Sequence, residues 1–233
     1  MMLRRLVTML CALLLLGAGC APVEPRFATG PDGVLTEQGL RALERTRFAH
    51  AWAKPGVSFE RYDRVWLRYR DIAYREPPSP RKSRGGIYGI SGSNYALSED
   101  LNARIQDSMR EIFAEELAGG GRWQADGSGE DVLDTRVGMI DLEIKTPLDR
   151  LSGEDNVYVD EIGAVTIVVD LYDSVTGELV LRVAERGVIG TQSHRPIQAS
   201  AGPAIYETRR LLTEWATKLR RLLYALRAKA PST

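Results

Sequence analysis

The sequence predicts an α+β domain: an antiparallel or mixed four-stranded sheet with helices packed on one face, in the order β-α-β-β-β-α. Two alternating apolar runs, at 165–171 and 179–183, sit either side of a turn signal and read as a hairpin. Two longer stretches, 98–118 and 203–227, instead repeat their apolar residues every three or four positions, the period of a helix with one buried face. With 44% apolar and 27% charged residues, the chain can bury a core.

The N-terminus reads as an export signal over residues 1–19. Arg4 and Arg5 form a positive start, and Leu6 to Leu16 is an apolar run of eleven residues, too short to cross a bilayer core of roughly 30 Å as a helix. Leu16-Gly17-Ala18-Gly19-Cys20 then resembles the lipobox of bacterial lipoproteins, with Gly17 where the motif usually carries leucine. That resemblance implies lipid attachment at Cys20. Ala21 in the next place implies the outer membrane rather than retention at the inner one. Cys11 falls inside the leader, so the mature chain holds Cys20 alone and forms no internal disulfide. The several acyl chains of a mature lipoprotein make release from the bilayer negligible, because each buried methylene adds about 0.8 kcal/mol.

Residues 20–34 read as the lipidated N-terminus and a flexible tether rich in proline, glycine and small residues, followed by a single periplasm-facing domain over 35–229. Leu35, Leu40, Leu43, Phe48 and Trp52 suggest a short amphipathic helix before Pro55-Gly56. Val65, Leu67, Tyr69, Ile72 and Tyr74 predict a strand over 62–74 whose phase slips at Arg70-Asp71. Ser98, followed by Glu99 and Asp100, predicts a capped start for a helix through Leu101, Ile105, Met109, Ile112, Phe113 and Leu117, stopped by Gly119-Gly120-Gly121. A strand over 132–146 changes phase beside Gly138, which predicts a bulge there. The turn Asp173 to Glu178, with Gly177 suited to positive φ, closes the hairpin. The last helix carries Leu211, Leu212, Trp215, Leu219, Leu222, Leu223 and Leu226 on one face, with Lys218, Arg220, Arg221 and Arg227 towards its end.

Trp52-Ala53-Lys54-Pro55-Gly56-Val57 with Tyr62 and Val65, the turn Asp173-Ser174 with Thr176-Gly177-Glu178, and Glu214-Trp215-Ala216 together resemble an uncharacterised family of small bacterial outer-membrane lipoproteins over about residues 48–227. The resemblance implies location and fold. It implies no activity and no catalytic residues.

Few residues invite a chemical role. The 31 basic and 31 acidic residues balance, and without the leader 29 face 31, which gives no electrostatic case for nucleic acid. His50 and His194 stand 144 positions apart with no second ligand at metal spacing. Ser193-His194 lacks the Gly-x-Ser-x-Gly elbow of a serine hydrolase. Gly86, Gly89 and Gly92 do not fit a phosphate-binding fingerprint. Asp149, Glu154, Asp155, Asp160 and Glu161 lack the spacing of a calcium loop. The sequence therefore calls for no metal and no cofactor. The local candidate for an anionic partner, whether lipid headgroup or cell-wall polymer, is the loop bearing Arg81, Lys82 and Arg84 with Tyr88 and Tyr95. The expectation is a membrane-anchored, non-catalytic binding or scaffolding module for an envelope protein or cell-wall component. An envelope hydrolase or transferase, or an accessory lipoprotein of a transport system, is the alternative.

Overall fold

A computed structural model describes residues 24–78, 95–119, 124–148, 156–191 and 195–228. Along the chain lie β1 (Arg26–Phe27), a 3-10 turn at Gly30–Gly33, β2 (Arg41–Glu44), β3 (His50–Ala53), β4 (Arg64–Tyr69), α1 (Glu99–Ala118), β5 (Val132–Ile144), β6 (Tyr158–Val159), β7 (Glu161–Asp173), β8 (Leu179–Gly190), β9 (Ile197–Gln198) and α2 (Ala201–Arg227). Seven strands form one mixed sheet in the order β1-β2-β3-β8-β7-β5-β4, and β6 pairs with β9 apart from it. Folded structure thus begins inside the stretch 20–34, where Arg26 and Phe27 pair with Glu44 and Leu43.

The central hairpin forms for local reasons. Asp173 Oδ1 accepts from the backbone N–H groups of Val175 (3.0 Å) and Thr176 (2.8 Å), and Gly177 takes φ +71°, so the turn sets Tyr172 opposite Leu179; a register shift next to it then places Leu171 opposite Leu181. One strand face carries Val165, Ile167, Val169, Leu171, Leu181 and Val183, all at most 1% exposed, and both helices pack on that face. The parallel pairing of β4 with β5 follows from α1 crossing between them, since parallel neighbours need a long connection. Ser98 caps α1 by accepting from Leu101 N at 3.3 Å, and Gly119 ends it at φ +51°. Met109, Phe113, Leu212, Trp215 and Leu219, each at most 1% exposed, fill the layer between helices and sheet. Gly187 lies under this layer, where a Cβ would come within 2.6 Å of Trp215 Cζ2.

Three sequence expectations need correction. The sheet has seven strands rather than four. The helix expected over 35–53 is instead β2 and β3: Ala51 and Ala53 alternate inward on the edge of β8, and Arg45 at φ +58° turns the chain between the two strands. A spacing of three and four residues mimicked a helix because two short strands and their turn bury Leu40, Leu43 and Phe48, the last two in the main core. The bulge in β5 lies between Ile140 and Glu143, with Asp141 at φ +53°, not beside Gly138. Gly138 pairs regularly with Val168 and leaves room for the stem of Arg70, whose Cβ stands 3.5 Å from where its own would be. The predicted slip at Arg70-Asp71 is a strand end: β4 stops at Tyr69, and the chain touches β5 again through a Tyr74–Leu142 bridge.

Candidate functional site

The residues facing away from the helices fill the other half of the same alternation. In register across five neighbouring strands stand Arg68 (β4), Arg136 (β5), Asp170 (β7), Arg182 (β8) and Trp52 (β3). Four steps between strands make this row about 19 Å wide. Beside it runs a second row, Trp66, Asp134 and Tyr172.

Two carboxylates form the base of the array, with side chains only 6% (Asp134) and 1% (Asp170) exposed. Each is shared by two arginines. Asp134 accepts from Arg68 Nε at 2.7 Å and again from its Nη2, and from Arg136 Nη2 at 2.8 Å. Asp170 accepts from Arg182 Nε at 2.6 Å and Nη2 at 3.0 Å, and from Arg70 Nη2 at 3.2 Å. Farther along the face, Glu143 is shared by Arg75 and Arg186. Six arginines thus stand on three carboxylates, a surplus of three positive charges. The Arg68 guanidinium lies 4.6 Å from the centre of the Trp66 ring, and that of Arg136 4.1 Å from Tyr172.

Burial by itself would raise the Asp134 carboxyl, but the hydrogen bonds from Arg68 and Arg136 outweigh it and hold the group below the usual carboxylate range. The bond to Asp170 likewise raises the Arg182 guanidinium. Asp134 and Arg182 therefore keep their charges through the neutral range.

This arrangement favours binding. A guanidinium offers five N–H donors, and among the described residues Arg70 spends one, on Asp170, so donors remain there for a carboxylate, sulfate or phosphate in fork geometry. Trp52, Trp66 and Tyr172 add partly exposed ring surface in the same plane.

Of the residues singled out from the sequence, Cys20, Arg81, Lys82, Arg84 and Tyr88 lie outside the described residues. Tyr95 lies within them, half-buried against the core, with its N–H donating to Ile144 O at 2.9 Å. Both flanks of the basic segment are therefore fixed to the end of β5, at Leu142 and Ile144, where Arg75 and Arg186 meet Glu143. His50 is exposed and stacks on Trp52 at 5.6 Å, while His194 and Ser193 lie outside the described residues. Glu161 pairs with Lys145 at 2.8 Å, and among the described residues no group of His, Cys, Asp and Glu could hold a metal ion. Nor among them is any helix long and apolar enough to cross a membrane.

Sequence reasoning missed the arginine array because its members are the polar half of strands that were read for their apolar half. A partial signal was present: counting outward from the 173–178 turn brings Asp170 within one residue of Arg182, and a register shift between Leu171 and Tyr172 completes the unlike-charged pair.

No family model matches the chain, and no curated protein does. Among solved structures, it is similar to the PelC dodecamer of Paraburkholderia phytofirmans, with 16% identity over 77% of this chain and 96% of that one and a TM-score of 0.35. A point variant of the same protein gives 15% identity, 73% and 95% coverage and a TM-score of 0.34. A Xanthomonas campestris protein of the DUF330 family gives 15% identity, 71% and 83% coverage and a TM-score of 0.33.

Proposed function

We propose that this chain is a lipoprotein of the bacterial envelope, acylated at Cys20, held at the outer membrane and facing the periplasm. Its domain is a non-catalytic binding module whose open sheet face receives an anionic envelope partner, a cell-wall polymer. The observation that carries this reading is the array of six arginines over three carboxylates, interleaved with Trp and Tyr, on the sheet face that no described helix covers. A purely structural ladder would balance its charges. This one keeps a surplus and leaves donors directed at solvent. The leader and the Cys20 motif support the envelope location.

Two measurements test the two parts. Radiolabelled palmitate should enter the wild-type protein and not Cys20→Ser, and outer-membrane fractions should retain only the former. Purified sacculi bearing their anionic polymers should sediment the wild-type chain, and an Arg70→Ala/Arg136→Ala variant should sediment at least tenfold less. Equal sedimentation of the two would contradict the assignment of the face.

A further inference from the structure

A second basic surface lies on the outward side of α2, away from the sheet face. Tyr206, Arg210, Thr213, Glu214, Thr217 and Arg221 follow one another at helical spacing along one stripe, and Lys218 and Arg209 flank it. Arg47, from the turn between β2 and β3, closes the stripe into a shallow concavity of about 590 Å³. Five cations line it against one carboxylate, Glu214. Arg209, Arg210 and Lys218 are tied to Glu111, Glu207 and Glu185. Arg47 and Arg221 are exposed and have no carboxylate partner among the described residues. Tyr206, 69% exposed, sits at the same surface.

The position of this concavity says what meets it. Arg26, where the chain enters the sheet, pairs in register with Glu44 and bonds its carboxylate at 2.8 Å. Glu44 is three residues from Arg47, and a tight turn separates them: Arg45 takes positive φ, Thr46 Oγ1 donates to Phe48 O at 3.1 Å, and Phe48 is buried. The concavity is thus beside the point where the chain arrives from Cys20, and six residues reach at most about 20 Å. An acylated Cys20 therefore keeps Arg47 and Arg221 close to the bilayer surface.

We infer that this concavity docks the domain on anionic phospholipid, with Arg47 and Arg221 meeting headgroup phosphates and Tyr206 lying at the interface. The inference rests on the anchored reading above. Docking here would leave the arginine face of the sheet turned to the periplasm.

The test uses the acyl-free chain from residue 21 onward, which contains every described residue, so its outcome is independent of whether Cys20 is acylated. Co-sedimentation is measured with vesicles of phosphatidylcholine alone and with 40% phosphatidylglycerol, at low and at physiological salt. A basic residue near an anionic bilayer is worth roughly a fivefold gain in partition. Binding to the phosphatidylglycerol vesicles should exceed that to phosphatidylcholine at least tenfold and weaken with salt. Arg47→Glu/Arg221→Glu should reduce it about 25-fold or more with an unchanged unfolding midpoint, and Arg47→Lys/Arg221→Lys should retain it within threefold. Equal binding to the two vesicles, or no effect of charge reversal, overturns the inference. So does displacement by millimolar inorganic phosphate, which would mark a soluble phosphate site, and so does a change of oligomeric state in the reversal variant, which would mark a contact between copies.

Discussion

Arg182 and Asp170 face each other directly across β7 and β8, joined by two parallel hydrogen bonds of 2.6 and 3.0 Å, with the carboxylate 1% exposed. Arg70, just past the end of β4, reaches the same carboxylate on the same face of the sheet. Asp170 therefore holds two cations that would otherwise repel each other. Asp170→Ala should destabilise the domain by about 3 kcal/mol, the lower end for a broken buried pair because both guanidinia keep some water contact. Arg70→Ala, which leaves Asp170 paired, should cost under about 1 kcal/mol. Urea unfolding of both variants checks the order.

Asp134 gives stability a defined dependence on pH. Its carboxyl is held below the value of the unfolded chain, so its contribution is fully present above about pH 4 and is lost as pH falls through the lower folded value. Asp173 acts in the same direction: burial would raise it, but the backbone N–H of Thr176 and the hydroxyl of Tyr62 outweigh that. The unfolding midpoint should fall on acidification below about pH 4. Asp134→Asn should be less stable at pH 7 and lose less between pH 5 and pH 3, as scanning calorimetry across that range would read.

Gly187 and Gly202 should respond oppositely to alanine. At Gly187 a Cβ meets Trp215 Cζ2 at 2.6 Å and Leu211 at 2.9 Å, and Trp215 is 1% exposed with nowhere to retreat. Gly187→Ala should cost about 2 kcal/mol, a fall in Tm of roughly 5 °C. Gly202, in the first turn of α2, has open space around it, so Gly202→Ala should be neutral or stabilising by up to about 1 kcal/mol.

The cap of α1 is a smaller test of the same fold. Ser98→Ala removes the acceptor for Leu101 N and should cost about 1 kcal/mol. Ser98→Asp, which keeps an acceptor at the positive end of the helix dipole, should restore it. Thermal unfolding of the two variants distinguishes them.

The parts of the fold legible in the sequence were those with strong local causes. The hairpin at 173–178 carries its own turn chemistry, α1 carries Ser98 and Gly119 at its ends, and the long apolar face of α2 repeats without interruption. The edge was not legible. β1, β2 and β3 hold two to four residues each, and their pairing is decided by β8 rather than by their own pattern. The β5 bulge escaped for a related reason: glycine drew the reading to 138, whereas Asp141 takes the left-handed conformation instead. Charge clusters were sought along the chain, which singled out the basic loop. The array on the sheet joins Arg68, Asp134, Asp170 and Arg182, residues up to 114 positions apart, and only strand order assembles it.

The account stands most directly on where an anionic polymer touches the domain. Nuclear magnetic resonance of the labelled chain, titrated with oligogalacturonate as a carboxylated probe, reads that location. The Nε–H signals of Arg68, Arg70 and Arg136 and the indole N–H signals of Trp52 and Trp66 should shift together, saturably, and the shifts should shrink at high salt. Shifts confined to α2 and the turn at Arg47, or none at any accessible concentration, would contradict the assignment of the sheet face as the binding surface.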